Sequence, residues 1–299
     1  MSFDEFIAKA WNDHGDAAQA VADRIPAGLR LAASPADVAA LARLATHVFG
    51  EHLARWDDGV AVLEAMRESS ACDAEASRAI ARGVATLRHA GGAGDALDTL
   101  TAEDRVAALA GVAAICCGQA RLGDAVRVYA EAIAAAPSTW APASPATRAL
   151  AVAGNNIAAA LEEKAARTPA ETLGMVDAAE HALRAWTLAG TWLERERALY
   201  RLSCSLRHAG RVQEAAERAR ECIAVCEAHA APAFERFFGW AALARAAGSA
   251  AQSGTGSRAA LDALRCAENA YAGVAEDERR WCDDELAAAR ATVARVARP

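Results

Sequence analysis

Apolar and small residues recur along the chain at three-and-four spacing, most clearly over residues 106–137. Leu109, Val112, Ala113 and Cys116 fall on one helical face. After a polar break at 120–124, Ala125, Tyr129 and Ala132 repeat the spacing, and Pro137 ends the run because it cannot continue a helix. The pattern predicts two amphipathic helices joined by a tight turn. Ala125 and Ala132 are small enough for two helix axes to approach closely, with Tyr129 filling the space between. The same arrangement returns in Leu41, Leu44, Ala45 and Val48 followed by Gly59, Leu63 and Met66. It returns again in Leu199, Leu202, Ser203 and Leu206 followed by Ala215, Ala219 and Cys222, and in Phe237, Trp240, Ala241 and Ala244 followed by Ala260, Leu264 and Ala267. No stretch alternates Val, Ile and Thr as a half-buried strand would. The pattern therefore predicts an all-α chain of about six antiparallel helix hairpins.

Punctuation sets the boundaries. Ser2 with Glu5 has capping-box spacing, and Phe3, Phe6, Ile7, Ala10 and Trp11 follow as an apolar stripe. Gly15 and Pro26 are expected to break residues 1–34 into short helices that form an N-terminal cap. Ser34-Pro35 opens the first hairpin, with Pro35 at the favoured first helical position. In the second hairpin, Ile80, Val84 and Leu87 lead into a glycine-rich turn at 91–95. Its second helix is expected to be truncated, because Thr101 to Asp104 already reads as the next cap. Breakers mark a loop at 138–145, and SAAQSGTGS at 249–257 reads as an insertion. The expectation is one continuous array over 35–275, closed by a capping helix at 276–299.

Composition narrows the function classes. Of 299 residues, 54% are hydrophobic but only 5% aromatic, which suits close packing of helices through small contacts. The formal net charge of -7 disfavours a general nucleic-acid surface. The start of the chain lacks the basic and apolar segments of a secretory signal, and no apolar run is long enough to span a membrane. Eight scattered cysteines do not form a disulfide framework. These features lead to the expectation of a cytoplasmic protein with reduced thiols, no nucleic-acid partner and no membrane partner.

The 106–137 stretch resembles a tetratricopeptide repeat. Leu109 stands for the family's Trp, Val112-Ala113 for Leu-Gly and Cys116 for Tyr, while Ala125, Tyr129 and Pro137 match directly. Leu150 to Ile157, with Gly154, is similar to the first helix of such a repeat, and the 196–222 stretch matches well. The resemblance implies a right-handed superhelix with atypical helical caps, in which first helices line a concave groove that holds an extended peptide. It implies a non-enzymatic scaffold or adaptor with no cofactor.

Projecting toward that groove are Arg78, Arg82 and Arg88 of the second hairpin, Arg148 and Asn155 of the fourth, and Arg197, Tyr200, Arg201, Arg207 and His208 of the fifth. Arg43 and Arg245 occupy similar faces toward the two ends. Ala107, Ala110, Ala114 and Gly118 of the third hairpin would form a smooth floor between the basic walls. A guanidinium makes two parallel hydrogen bonds to a carboxylate, so these ten residues point to an acidic or C-terminal peptide segment. Asn155 resembles the asparagine of carboxylate-clamp repeats, although the clamp lysines are absent. A sensor for a small molecule or signalling peptide is the second reading, and an enzyme with an unrecognised site the third. A homodimer through end-cap residues such as Trp281 stays open.

Other chemistry is weakly signalled. Cys222, Cys226 and His229 share a helical face, but no fourth metal ligand is visible and buried thiols are expected. The acidic pairs at 57–58, 162–163 and 283–284 diverge on a helix rather than facing each other. Glycines 91, 92 and 94 lack the ending of a phosphate-binding loop. His47 and His52, five apart, are not expected to share a face.

Overall fold

The computed structural model describes residues 1–137, 141–142, 144–251 and 257–296. Described residues form fourteen α-helices and no strand. Two compact units result, Met1–Ala153 and Gly154–Pro299, with the division inside helix α8.

Unit 1 begins with α1 (Phe3–Asp13), α2 (Ala18–Leu31) and α3 (Pro35–His47). A π-helical turn over Val48–His52 leads to α4 (Trp56–Ala65), then α5 (Ala74–Ala90), α6 (Ala102–Gly118) and α7 (Leu122–Ala135). The unit ends within α8 (Pro145–Glu163). Unit 2 continues with α9 (Pro169–Ala189), α10 (Trp192–His208), α11 (Val212–Ala228), α12 (Ala233–Ala251), α13 (Ser257–Ala272) and α14 (Asp283–Val296). Helices adjacent in sequence pack as pairs: α6 with α7, α10 with α11 and α12 with α13.

Local signals start the helices where they were expected. Ser2 and Glu5 cap α1 reciprocally, Ser34 and Asp37 cap α3 with Pro35 in the first turn, and the Thr101 hydroxyl accepts from the Asp104 amide. Each such cap stabilises by about 1 kcal/mol. The turn after α6 is shorter than the polar break suggests. Ala120 adopts φ 57°, and the Arg121 amide donates to the Cys116 carbonyl at 2.8 Å, which closes the helix end. Leu122, Gly123 and Asp124 are therefore the first turn of α7.

Packing overrides local preference at Pro26. Pro26 does not break the cap region but lies within α2. The lost backbone hydrogen bond is offset by Val21 and Ile25, both fully buried in the unit 1 core with Phe6, Val38, Leu41 and Leu44. Residues 91–101 carry no helix, in line with the expected truncation, and Leu97 is the residue that turns inward. Residues 138–140, 143 and 252–256 of the expected loop and insertion lie outside the described residues.

The small anchors sit in the contacts. Ala125, Ala132, Ala178, Ala182, Ala215, Ala219, Ala260 and Ala267 are buried. At Gly59 a Cβ would lie 2.6 Å from Leu87 and 2.7 Å from Phe49, so this approach excludes any side chain. Tyr129 is buried as the expected knob, and its hydroxyl donates to the Leu150 carbonyl at 2.9 Å.

Candidate functional site

Among the described residues, each unit contains a cleft that gathers residues singled out from the sequence. In unit 1 a cleft of about 630 Å³ is floored by Ala107, Ala110, Gly111 and Ala114 of α6 and walled by Trp11, Arg43, Thr46, Glu51, Arg82 and Arg148. Three of the four expected floor residues therefore lie together. Four alanines and glycines in this span of α6 leave its surface low enough for another chain to lie close.

The cleft is electropositive. Arg82 donates to Asp104 Oδ1 at 2.8 Å, and Arg78 donates to Asp104 Oδ2 at 3.0 Å. Burial acts to raise the Asp104 carboxyl, but the Thr101 hydroxyl and these two guanidiniums hold it below the ordinary carboxylate range. One carboxylate is thus shared by two arginines. Arg43 makes no ion pair with a carboxylate among the described residues. Arg43 is exposed as a residue, yet desolvation at its guanidinium, then the charges of Arg148 and Arg82, lower its basicity. Clustered like charges of this kind favour an anion between them.

In unit 2 a pocket of about 350 Å³ is lined by Asn155, Glu196, Arg197, Tyr200, Arg201, Phe234, Glu235, Phe238 and Trp281. Helix α10 supplies positions 196, 197, 200 and 201, which share a face by three-and-four spacing. Helix α12 supplies Phe234 and Phe238, whose rings meet edge-on at 5.1 Å, and Phe238 meets Tyr200 at 5.3 Å. Trp281 is 64% exposed and stands at the rim.

Here the guanidiniums are already matched. Arg197 donates through Nε and Nη2 to the two oxygens of buried Glu235, and Arg201 donates to Glu162, which also accepts from the Ser205 hydroxyl at 2.6 Å. Burial raises the Glu162 carboxyl even against the charge of Arg201. Arg207 donates to His208 Nε2 at 2.8 Å. Burial, then the charges of Arg207 and Arg167, push His208 down to about 4, so it is neutral at pH 7.

Of the ten sequence-selected residues, Asn155, Arg197, Tyr200 and Arg201 converge on the unit 2 pocket, and Arg82 and Arg148 line the unit 1 cleft. Arg78 braces Asp104. Exposed Arg88, together with Arg207 and His208, lines neither site. Sequence reading did not select Trp11, Glu51, Glu196, Phe234, Glu235 or Phe238. The Phe-Glu-Arg-Phe-Phe run at 234–238 was a visible signal, since clustered aromatics in an aromatic-poor chain mark either core or pocket.

Glu196 lies buried at the base of the unit 2 pocket. Cys222 Sγ donates to its Oε1 at 2.9 Å, while Oε2 is buried with no partner. Burial, reinforced by the charge of Glu235, pushes the carboxyl up to about 7 in spite of the Cys222 hydrogen bond. Folded protein thus keeps a proton that the unfolded chain releases above its ordinary value of 4.5, so stability falls as pH rises from there through 7. Glu196→Gln should remove this slope. In urea titrations at pH 5 and 8, wild type is expected to lose about 2 kcal/mol that the variant keeps. Equal slopes would place the proton elsewhere.

Glu196, Cys222 and Cys226 are all buried with ligand atoms within 4.8 Å of one another. His229 does not join this group but stacks on Trp192 at 5.1 Å. All eight cysteines are free, and five are buried. Burial raises the Cys116 thiol and pushes Cys204 up to about 12 and Cys282 up to about 11.

Among the described residues no helix is long and apolar enough to cross a membrane. The fold and its two clefts define the class: a helical-repeat-like, all-α protein. No family model matches the sequence, and no curated protein matches it.

Proposed function

We propose that the protein is a non-enzymatic, tetratricopeptide-like binding module that holds an acidic peptide segment in the cleft of unit 1. The observation that carries this reading is Arg43, which has no carboxylate partner among the described residues and stands beside Arg82 and Arg148 over an alanine-glycine floor. Fixed cations above a low floor suit an extended backbone with Asp or Glu side chains, or with a terminal carboxylate. The arginines of unit 2 suit this role less, because a ligand would first have to displace Glu235 or Glu162.

Fluorescence anisotropy with a library of labelled acidic peptides, about eight residues long and both internal and C-terminal in type, tests the reading. Arg43→Ala and Arg148→Ala are each expected to weaken the best peptide about tenfold or more, with affinity falling as salt rises. Unchanged binding by the double variant would remove the ligand from this cleft.

A second reading, a sensor for a small molecule, is favoured by one observation. Tyr200, Phe234, Phe238 and Trp281 surround a pocket of about 350 Å³ that also carries Asn155 and two carboxyl groups. That size and aromatic lining suit a compact ligand with an apolar body and a hydrogen-bonding head. Loss of a ligand on Phe238→Ala, with none on Arg43→Ala, would favour it.

A further inference from the structure

We propose that His14, His47 and His52 form a binding site for a divalent transition metal of the zinc type. One ring nitrogen from each lies within 4.8 Å of the other two. The three ring centroids form a near-equilateral triangle with sides of 4.8, 4.9 and 5.0 Å, and the rings meet edge-on at 62–83° rather than stacking.

The spacing fits an ion. His47 Nε2 and His52 Nε2 are 3.1 Å apart. Two imidazoles bound to tetrahedral zinc at about 2.0–2.1 Å place their nitrogens about 3.3 Å apart, so a small outward movement admits the metal. Two rings are already oriented for this. His47 Nδ1 donates to Glu51 Oε1 at 2.6 Å, and His14 Nδ1 donates to the Trp11 carbonyl at 2.6 Å. Both contacts fix the tautomer that leaves a lone pair on Nε2. A carboxylate or carbonyl behind the far nitrogen is the usual support of a metal-bound histidine.

Three separate segments build the site. His14 caps the C-terminus of α1, His47 ends α3, and His52 ends the π-helical turn. Residues five apart lie about 140° apart around a regular α-helix, so spacing alone does not pair 47 with 52. The turn instead runs with an i to i+5 hydrogen bond, from the Leu53 amide to the Val48 carbonyl at 3.1 Å, and its wider winding brings the two rings together.

Neutral imidazoles are borderline donors that suit zinc, copper, nickel and cobalt rather than magnesium or calcium. Three protein ligands leave a fourth tetrahedral position for water or an outside ligand, and His52 is exposed to solvent. The site adjoins the unit 1 cleft through Trp11 and Glu51, but the inference uses none of Arg43, Arg82 or Arg148, so metal binding and peptide binding are tested by different substitutions.

Untagged protein, stripped with chelator, would be titrated with Zn²⁺ against a fluorescent chelator, and with Co²⁺ monitored by its tetrahedral absorption bands. One equivalent is expected to bind with micromolar or tighter affinity, and Mg²⁺ is expected not to compete. Glu51→Gln, which touches only one ligand, should weaken Zn²⁺ by about 10–100-fold. His52→Ala, at the exposed corner, should weaken it further and abolish the Co²⁺ bands, with helicity checked by circular dichroism. His181→Ala, at a half-buried position of α9 in the other unit, should change nothing. Absence of stoichiometric binding at about 100 µM Zn²⁺, or equal binding by wild type and His52→Ala, would overturn the proposal and leave a proton shared between the rings.

Discussion

Arg201→Met is expected to destabilise unit 2 by about 3 kcal/mol, because it strands the carboxylate of Glu162 in a buried setting. The Glu162 side chain is only 8% exposed, and its companions are Arg201 and the Ser205 hydroxyl. Removing the guanidinium leaves burial to act with less opposition, so the already raised carboxyl rises further. Protonated Glu162 is tolerated at low pH, whereas ionised Glu162 is not, so the loss should be larger at pH 8 than at pH 5. Urea midpoints of wild type, Arg201→Met, Glu162→Gln and the double variant measure it. A double variant no worse than Glu162→Gln would show that the cost of Arg201→Met lies in the orphaned charge. Equal destabilisation at both pH values would sink that account. A charge reversal at Arg201 therefore reports on folding before it reports on any ligand.

Phe237→Ala is expected to cost about 3–5 kcal/mol, the range for removing a fully buried aromatic ring. Phe237 is 0% exposed and contributes to a core cluster with Ala241, Ala267, Val274, Cys282 and Leu286. Its ring also meets Phe238 at 5.1 Å and Tyr271 at 5.9 Å. Its neighbours Ala241, Ala267 and Cys282 are too short to refill the space, so much of the cavity term should remain. Phe238→Ala, at a half-buried position, should cost less. Thermal and urea denaturation followed by circular dichroism compare the two, and equal losses would show that the cluster relaxes around the gap.

Sequence made helices and their packing faces legible because both follow from spacing within one turn or two. Leu109, Val112, Ala113 and Cys116 are all buried, and so are Ala125, Tyr129 and Ala132. Caps at Ser2, Ser34 and Thr101 were legible because a cap is a contact over three residues. Pro26 misled because its local cost was outweighed by burial that only the folded unit supplies. Among the candidate sites, the floor of α6 was readable from its run of small residues. The fate of the arginines was not. Arg82 meets Asp104 across 22 residues, Arg197 meets Glu235 across 38 and Arg201 meets Glu162 across 39. No spacing rule reaches that far, so a row of like charges looked free when most of it was paired. The histidine cluster was hidden for a related reason, since its spacing becomes meaningful only once the helix changes its winding.

The buried thiols make the chain a recorder of its own opening. Cys116 lies in unit 1, while Cys204, Cys222, Cys226 and Cys282 lie in unit 2, all shielded from solvent. An alkylating reagent needs the exposed thiolate, so each sulfur reacts only when its surroundings part. Peptide mapping after a pulse of reagent would read the opening frequency at five places without any probe being added. Alanine-rich helices usually offer few such handles; here five buried cysteines double as reporters of when the core around them comes apart.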